Sequence, residues 1–220
     1  MIANVNGLRL YYEKYGSGSP LVLVHGNGED HTIFDEAVEM LSCRFTCYAV
    51  DSRGHGRSAY RGAFHYRDMA ADILAFMEEL DLTDVTFVGF SDGGIIGLLA
   101  ASQTDRITNL ITCGANVSPK GVKNSFRFTI CLVNKIKKDP LYDLMLTEPD
   151  ISAEELGRIE ARTLVLAGSR DLVKESETKY IATRIPGAKL RILQGEGHGS
   201  YVIHSEKIAR LVMDFVGEKK

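Results

Sequence analysis

An apolar run, a glycine-rich turn and a second apolar segment constrain this chain more than any other stretch. Residues 85–101 read VTFVGFSDGGIIGLLAA. The first four residues are typical of a fully buried strand, and the last part, rich in small side chains, is typical of a helix. Between them, residues 89–93 match the pattern G-x-S-x-G, a sharp strand-to-helix turn that exposes a serine hydroxyl on a strained backbone. We therefore expect Ser91 to project from the end of a buried strand.

The rest of the chain alternates between strand and helix patterns. Apolar and β-branched residues predict strands at residues 21–24, 45–50, 106–113, 163–167 and 189–193, with a continuous apolar run at 21–24, and helices are predicted at 31–41, 65–80, 175–184 and 205–216. This alternation predicts an α/β fold, with a mostly parallel central sheet flanked by helices on both faces. A length of 220 residues fits a single domain, 1–220.

Composition and charge argue against several classes of partner. A net charge of −3 leaves no basic footprint for nucleic acid. No apolar run is long enough to span a membrane, and the first residues lack the pattern of a signal peptide, so we expect no membrane partner and a cytoplasmic location. The four cysteines have no metal-binding or redox spacing, which predicts reduced, mostly buried thiols and no metal site.

Two late loops carry side chains that would complement a reactive serine. A serine hydroxyl needs a base within hydrogen-bond reach, and that base needs a third group to orient it. Asp171 follows the strand at 163–167, and His198 follows the strand at 189–193. The order Ser91, Asp171, His198 is the one found in enzymes with this turn. Because loops after parallel strands meet at one sheet edge, these three side chains are predicted to converge.

Other titratable residues are weaker candidates. His55 lies in a glycine-rich loop that we interpret as structural, with Asp51 and Arg53 pairing locally, and His25 is expected to brace the loop that follows the strand at 21–24. We expect Asn116 not to supply the acid, because an amide cannot serve as a carboxylate. Surface or helix positions are predicted for His31, His65 and His204, and solvated charge for Asp139, Asp143 and Asp150.

Five motifs in register resemble the α/β-hydrolase superfamily over nearly the whole chain: HG at 25–26, DSRGHGRS at 51–58, GFSDGG at 89–94, G-x-x-D at 168–171 and G-x-G-H at 195–198. The chain is most similar to small-lid serine esterases, enol-lactonases and the valacyclovir-hydrolase-like or proline-iminopeptidase-like branches. The resemblance implies an α/β-hydrolase fold with a short lid insertion at about 117–160. It also implies that Ser91 is the nucleophile, His198 the general base and then acid, and Asp171 the group that fixes the imidazole tautomer.

The resemblance also implies an oxyanion hole made of two main-chain donors. These are the backbone N–H groups of Asn27 and Asp92, the second lying directly after the nucleophile. The side chains of Asp92 and Phe90 are candidate substrate-binding groups. The Asp92 carboxylate either holds a cationic group of the substrate or caps the helix N-terminus. In the lid, apolar side chains form a roof over the pocket or a dimer contact: Phe126, Phe128, Ile130, Leu132 and Tyr142.

Together these features predict a serine hydrolase that cleaves a small or medium carboxylic ester, thioester or lactone through an acyl-enzyme, with no cofactor. The expected partner is a small acyl substrate, and the protein is expected to be a monomer or homodimer. An aminopeptidase-like enzyme or a carbon–carbon bond hydrolase stays open within enzymes. From another class, this fold also serves as a noncatalytic ligand-binding protein.

Overall fold

A computed structural model of the chain describes residues 1–218, with an eight-stranded sheet at the centre. The strands are β1 Ile2–Val5, β2 Leu8–Tyr15, β3 Ser19–Val24, β4 Phe45–Val50, β5 Val85–Phe90, β6 Ile107–Cys113, β7 Arg162–Gly168 and β8 Lys189–Leu193. Their order across the sheet is β1-β2-β4-β3-β5-β6-β7-β8. Antiparallel pairing joins β1 to β2 and β2 to β4, whereas all other neighbours pair parallel. The predicted mostly parallel sheet is confirmed.

Helices cover both faces of this sheet. They are α1 Asp35–Leu41, α2 Tyr66–Glu79, α3 Asp92–Ala101, α4 Asn124–Lys137, α5 Pro140–Thr147, α6 Ala153–Gly157, α7 Glu175–Arg184 and α8 Glu206–Gly217. Successive residues of β3 point to opposite faces, so Val22 and Val24 join an apolar core under α2 and α3. Leu21 and Leu23 join a second core under α1 and α8. Within residues 1–218, no helix combines the length and apolar character that crossing a membrane requires.

The central strand and the helix that follows it are both buried. All six residues of β5 and all ten of α3 are buried, as expected for a helix that is apolar on every side. The helix begins very close to β3: a Cβ on Gly93 would lie 2.0 Å from the carbonyl oxygen of Val24. Only glycine fits at residue 93, which explains the second glycine of the G-x-S-x-G turn.

The predicted lid segment, 117–160, lies between β6 and β7 and contains α4, α5 and α6. Its second half is fastened to the start of α2. The Glu148 carboxylate accepts the backbone N–H of Tyr66 at 3.0 Å and contacts His65 Nδ1 at 2.6 Å. The Glu155 carboxylate accepts from Arg67 at 2.7 Å. These contacts leave α4 and α5 as the part of the lid without such anchors to α2.

The four cysteines are free thiols, as predicted from their spacing. Cys47 and Cys113 are buried, whereas Cys131 is half-buried and Cys43 is exposed. The expectation of mostly buried thiols was therefore right for only half of them. Burial raises the pKa of the Cys47 thiol to about 12, so this group stays protonated at neutral pH.

Candidate active site

Three side chains from distant parts of the chain meet at the carboxyl edge of the sheet. Ser91 follows β5, Asp171 follows β7 and His198 follows β8. Ser91 Oγ lies 3.0 Å from His198 Nε2, and His198 Nδ1 lies 2.6 Å from Asp171 Oδ1. The predicted convergence of these side chains is therefore present as one continuous hydrogen-bonded chain.

The backbone of Ser91 has an unusual conformation. Its φ of 52° and ψ of −113° lie outside the regions that side-chain-bearing residues commonly adopt. Such a conformation costs about 1–3 kcal/mol and persists only where the surroundings enforce it. Here the Ser91 N–H donates to the carbonyl oxygen of Cys113 at 2.7 Å, and the buried β5 and α3 fix the two ends. The turn therefore holds the hydroxyl above the strand end.

The imidazole of His198 rests against a glycine at the end of β6. Gly114 has a φ of +62°, and a Cβ there would lie 2.8 Å from His198 Cε1 and 2.9 Å from Nδ1. On another side, the Phe90 ring lies with its centroid 5.0 Å from that of the imidazole. Gly114 and Phe90 together define the space in which the imidazole sits.

The Asp171 carboxylate is held by several donors in a buried setting. Only 2% of the residue is exposed. Burial raises the pKa of its carboxyl, but hydrogen bonds from His198 and from the backbone N–H groups of Val173 and Gly168 outweigh that effect. The net pKa lies below the ordinary value, so Asp171 carries a negative charge at neutral pH, facing His198 Nδ1.

Two main-chain donors border the nucleophile. The N–H of Asp92 belongs to the first residue of α3, and the N–H of Asn27 lies in the loop after β3. Neither donates to an acceptor within residues 1–218. The neighbouring Gly26 N–H, in contrast, donates a hydrogen bond to Glu29 Oε2 at 2.9 Å. The two predicted donors are thus both uncommitted.

The Asp92 side chain does not cap its helix, so that expectation was wrong. Its Oδ2 accepts from the side-chain amide of Asn27 at 2.9 Å. Burial raises the pKa of the Asp92 carboxyl, while hydrogen bonds from the Asn27 amide and the Tyr66 hydroxyl oppose that rise. Tertiary partners from the loop after β3 and from the first residue of α2 therefore satisfy this carboxyl in place of the backbone of α3.

A cavity of about 360 Å³ opens beside Ser91, between the sheet edge and the lid. Its apolar wall includes Phe90 and the inner face of α4, with Phe126 and Ile130. Acidic side chains also line it: Glu29, Asp92 and Glu148. Among lining residues from the described part of the chain, His198 alone carries a basic side chain.

Sequence reasoning missed Glu29, Tyr66 and Glu148 as cavity residues. Glu29 is half-buried, and burial raises the pKa of its carboxyl above the ordinary value. A signal for Glu29 was available, since it lies two residues after Asn27 in a loop already assigned to this edge. Tyr66 and Glu148 gave no such signal, because their positions depend on how α2 meets the lid.

The remaining histidines occupy different settings. His25 is buried, with Nδ1 against the Gly26 carbonyl oxygen at 2.7 Å and Nε2 accepting the Ser52 N–H at 3.0 Å, so it braces the loop as expected. His55 is buried beside it, with ring centroids 5.0 Å apart. His65 and His204 are exposed, and His65 contacts Glu148.

The expectation of a local pair for Arg53 was wrong, and His31 lies in a short 3-10 helix, the second of its two predicted settings. His31 is buried rather than at the surface, because its Nδ1 and its backbone N–H both contact Asp51 Oδ1, at 2.7 and 2.8 Å. Arg53 does not pair within the loop but reaches Asp72 on α2 at 2.7 Å. Partners distant in the sequence therefore position both side chains.

One cluster could in geometric terms hold a metal ion. The ligand atoms of Asp30, His31 and Asp51 lie within 4.8 Å of one another. However, Asp51 Oδ1 already accepts from His31, and Asp30 Oδ1 accepts from Thr32. These polar atoms therefore already have hydrogen-bond partners within the protein.

Comparisons with known proteins agree with this fold. A family model described as alpha/beta hydrolase fold matches residues 19–140. The chain is 27% identical to the serine hydrolase BPHL of Mus musculus, over 96% of this chain and 84% of that protein. The fold is similar to an esterase from Exiguobacterium antarcticum, with a TM-score of 0.87, 22% identity and 99% of each chain covered. It is also similar to the enol-lactonase from Burkholderia xenovorans LB400, with a TM-score of 0.82, 23% identity, and 99% and 100% covered. The chain belongs to the alpha/beta hydrolase fold family and is a serine hydrolase enzyme of that family.

Proposed function

We propose that this enzyme cleaves a small or medium carboxylic ester, thioester or lactone through an acyl-enzyme intermediate formed on Ser91. The observation that carries the proposal is the hydrogen-bonded chain from Ser91 Oγ to His198 Nε2, at 3.0 Å, and from His198 Nδ1 to Asp171, at 2.6 Å. That geometry matches a nucleophile, a base and an orienting acid.

In the first half of the reaction, Ser91 Oγ attacks the carbonyl carbon while His198 Nε2 takes the hydroxyl proton. General-base assistance of this kind contributes about 10²–10⁴-fold to the rate. The Asp171 carboxylate keeps a proton on Nδ1, which leaves Nε2 as the acceptor, and it stabilises the imidazolium that forms. His198 then returns the proton to the leaving oxygen or sulfur as the bond to the carbonyl carbon breaks.

The tetrahedral intermediate carries a negative oxygen that requires donors. We assign this role to the backbone N–H groups of Asn27 and Asp92, and loss of one such donor costs about 2.7–4 kcal/mol of barrier. The bond from Gly26 N–H to Glu29 supports the assignment, because it fixes the loop that carries Asn27. In the second half, a water molecule activated by His198 attacks the acyl carbon and releases the acid and free Ser91.

The cavity supports a limited range of substrates. A volume of about 360 Å³ lies near the lower end of ordinary ligand pockets. Phe90 and the inner side chains of α4 supply apolar surface for an acyl chain. The Asp92 carboxyl remains our second candidate contact, and the acidic lining favours a substrate with a cationic group over one with an anionic group.

Labelling with a fluorophosphonate tests the nucleophile directly. The wild-type enzyme and Ser125→Ala, which changes an exposed serine on the lid, are expected to label with equal rates, whereas Ser91→Ala is expected not to label. Hydrolysis of p-nitrophenyl esters, measured over increasing acyl chain length, should be retained in Ser125→Ala and lost in Ser91→Ala. Retention of labelling and ester hydrolysis in Ser91→Ala would refute the proposal.

The Asp92→Asn variant tests recognition of a cation separately. We expect a larger loss of kcat/KM on amino-acyl esters than on neutral esters of similar size, because only the former would lose a charge contact. Equal losses on both series would show that Asp92 acts only through Asn27 and Tyr66.

A further inference from the structure

The first lid helix, α4, presents two different apolar faces. Phe126 and Ile130 face the cavity. On the other side, Phe128, Leu132 and Ile136 are 66%, 46% and 85% exposed, and we call these three side chains the outer lid face. Their spacing of four residues places them in one stripe along the helix. Residues 1–218 contain seven large apolar side chains with such exposure, so nearly half of them lie in this single stripe.

Basic residues are concentrated in the segment that carries the outer lid face. Residues 117–138 contain no aspartate or glutamate, although the whole chain has a net charge of −3. Their basic residues are Lys120, Lys123, Arg127, Lys135, Lys137 and Lys138. Within the described part of the chain, none of these six side chains forms a salt bridge. The segment that carries the outer lid face is therefore rich in positive charge, and no carboxylate within residues 1–218 forms a salt bridge with it.

This combination disfavours a second copy of the chain as the occupant. A symmetric dimer formed through the outer lid face would bring two strongly basic segments together, and like charges in contact oppose association. A stable complex with another protein also involves roughly 20–30 residues on each side. The outer lid face is a narrow, convex stripe of three apolar side chains, which is small by that measure.

An anionic lipid surface fits both properties. An amphipathic helix lies in a bilayer interface with its apolar side chains at the headgroup boundary, and lysines near the surface gain from anionic lipids. We propose that the outer lid face docks on anionic lipid membranes. This association at a surface departs from the expectation of no membrane partner, which rested on the lack of a spanning segment.

Flotation with lipid vesicles tests the proposal without any measurement of catalysis. We expect the full-length Ser91→Ala protein to float with vesicles of phosphatidylcholine and phosphatidylglycerol, and not with phosphatidylcholine alone. Binding should weaken as salt rises, because the Lys and Arg contribution is electrostatic. Failure to bind mixed vesicles at low salt would overturn the proposal, whether or not Ser91 is the nucleophile.

Matched variants assign the binding to this face. Ile136→Ser and Phe128→Ser should each weaken vesicle binding by about tenfold, as expected for removing a large apolar side chain. Lys135→Gln should weaken it by about fivefold. Leu190→Ser, which removes an exposed leucine on β8, should bind like the parent protein. All four positions are exposed, and circular dichroism checks that each variant folds.

Three other results would contradict the proposal. The first is equal vesicle binding by Ile136→Ser and the parent. The second is a dimer in solution that Ile136→Ser converts to a monomer, which would assign the stripe to a second copy. The third is binding to an acidic polypeptide such as polyglutamate with no binding to anionic vesicles, which would assign the basic segment to a protein partner.

Discussion

Gly114→Ala should separate the position of the catalytic imidazole from the stability of the fold. An alanine Cβ at this residue would lie 2.8 Å from His198 Cε1, 2.9 Å from Nδ1 and 3.5 Å from Asp171 Oδ2. Ordinary contacts of a Cβ begin at about 3.4 Å, so the imidazole must shift by about half an ångström. Because the hydrogen bond that the Ser91 hydroxyl donates to His198 Nε2 already measures 3.0 Å, such a shift takes Nε2 out of good alignment.

The expected loss follows from the sensitivity of catalysis to position. A displacement of about 1 Å costs about 10²-fold, so we expect kcat/KM to fall by about 10- to 100-fold, equivalent to about 1.4–2.7 kcal/mol of barrier. The positive φ of Gly114, +62°, adds a separate cost of about 1–2 kcal/mol to the folded state. Hydrolysis of p-nitrophenyl acetate measures the first effect, and urea unfolding measures the second.

Gly187→Ala is the matched control. Gly187 also has a positive φ, +70°, but a Cβ there would have no neighbour within 4 Å. Both variants should therefore lose similar free energy of unfolding, whereas only Gly114→Ala should lose activity. Equal activity of the two variants under conditions where both are folded would refute the steric explanation.

Three further predictions concern charge. Asp171→Asn should lower kcat on the order of 10⁴-fold in ester hydrolysis without changing the fold seen by circular dichroism, because the amide favours the wrong tautomer of His198; retention of near wild-type kcat would argue against that role. The pKa of the Glu155 carboxyl is lowered to about 2, mainly by the hydrogen bond from Arg67. Its contribution of about 1 kcal/mol to the free energy of unfolding is therefore present above pH 4.5 and is lost as the pH falls toward 2. Glu155→Gln should remove that part of the pH dependence of unfolding, and an unchanged slope would contradict it. Burial lowers the pKa of His25 from 6.5 to about 4. As the pH falls from 6.5 to about 4, only the unfolded chain takes up a proton at this residue, so the free energy of unfolding should fall by up to about 3 kcal/mol. His25→Gln should flatten the unfolding curve in that window even if it lowers stability overall, and an equally steep curve would exclude His25 as the source.

Much of the fold follows from local patterns in the sequence. A continuous apolar run at 21–24 identifies the end of β3, Ser19–Val24, and helical periodicity at 65–80 identifies α2, Tyr66–Glu79. The convergence of Ser91, Asp171 and His198 also follows from local information, because each comes directly after a strand of a parallel sheet.

The contacts that sequence reasoning missed join residues far apart in the chain. Asn27 and Asp92 are separated by 65 residues, and Tyr66 and Glu148 by 82. The burial of His31 depends likewise on Asp51, which lies on a different strand end. Local propensity and spacing carry no information about such pairs, because tertiary packing alone decides which loops touch.

The way in which the lid is fastened has a consequence for substrate traffic. The start of the lid is joined to α7, since Glu177 Oε1 accepts the backbone N–H of Val117 at 3.0 Å. Its second half is joined to α2 through Glu148 and Glu155. Between these roots, the α4–α5 hairpin is held to the loop after β3 by the bond from Asn27 Nδ2 to the Leu141 carbonyl oxygen, at 3.3 Å, so opening the cavity on this side requires that bond to break. We therefore expect movement of this hairpin to set the rates of substrate entry and product release. The sheet that holds the reacting groups need not move for either step.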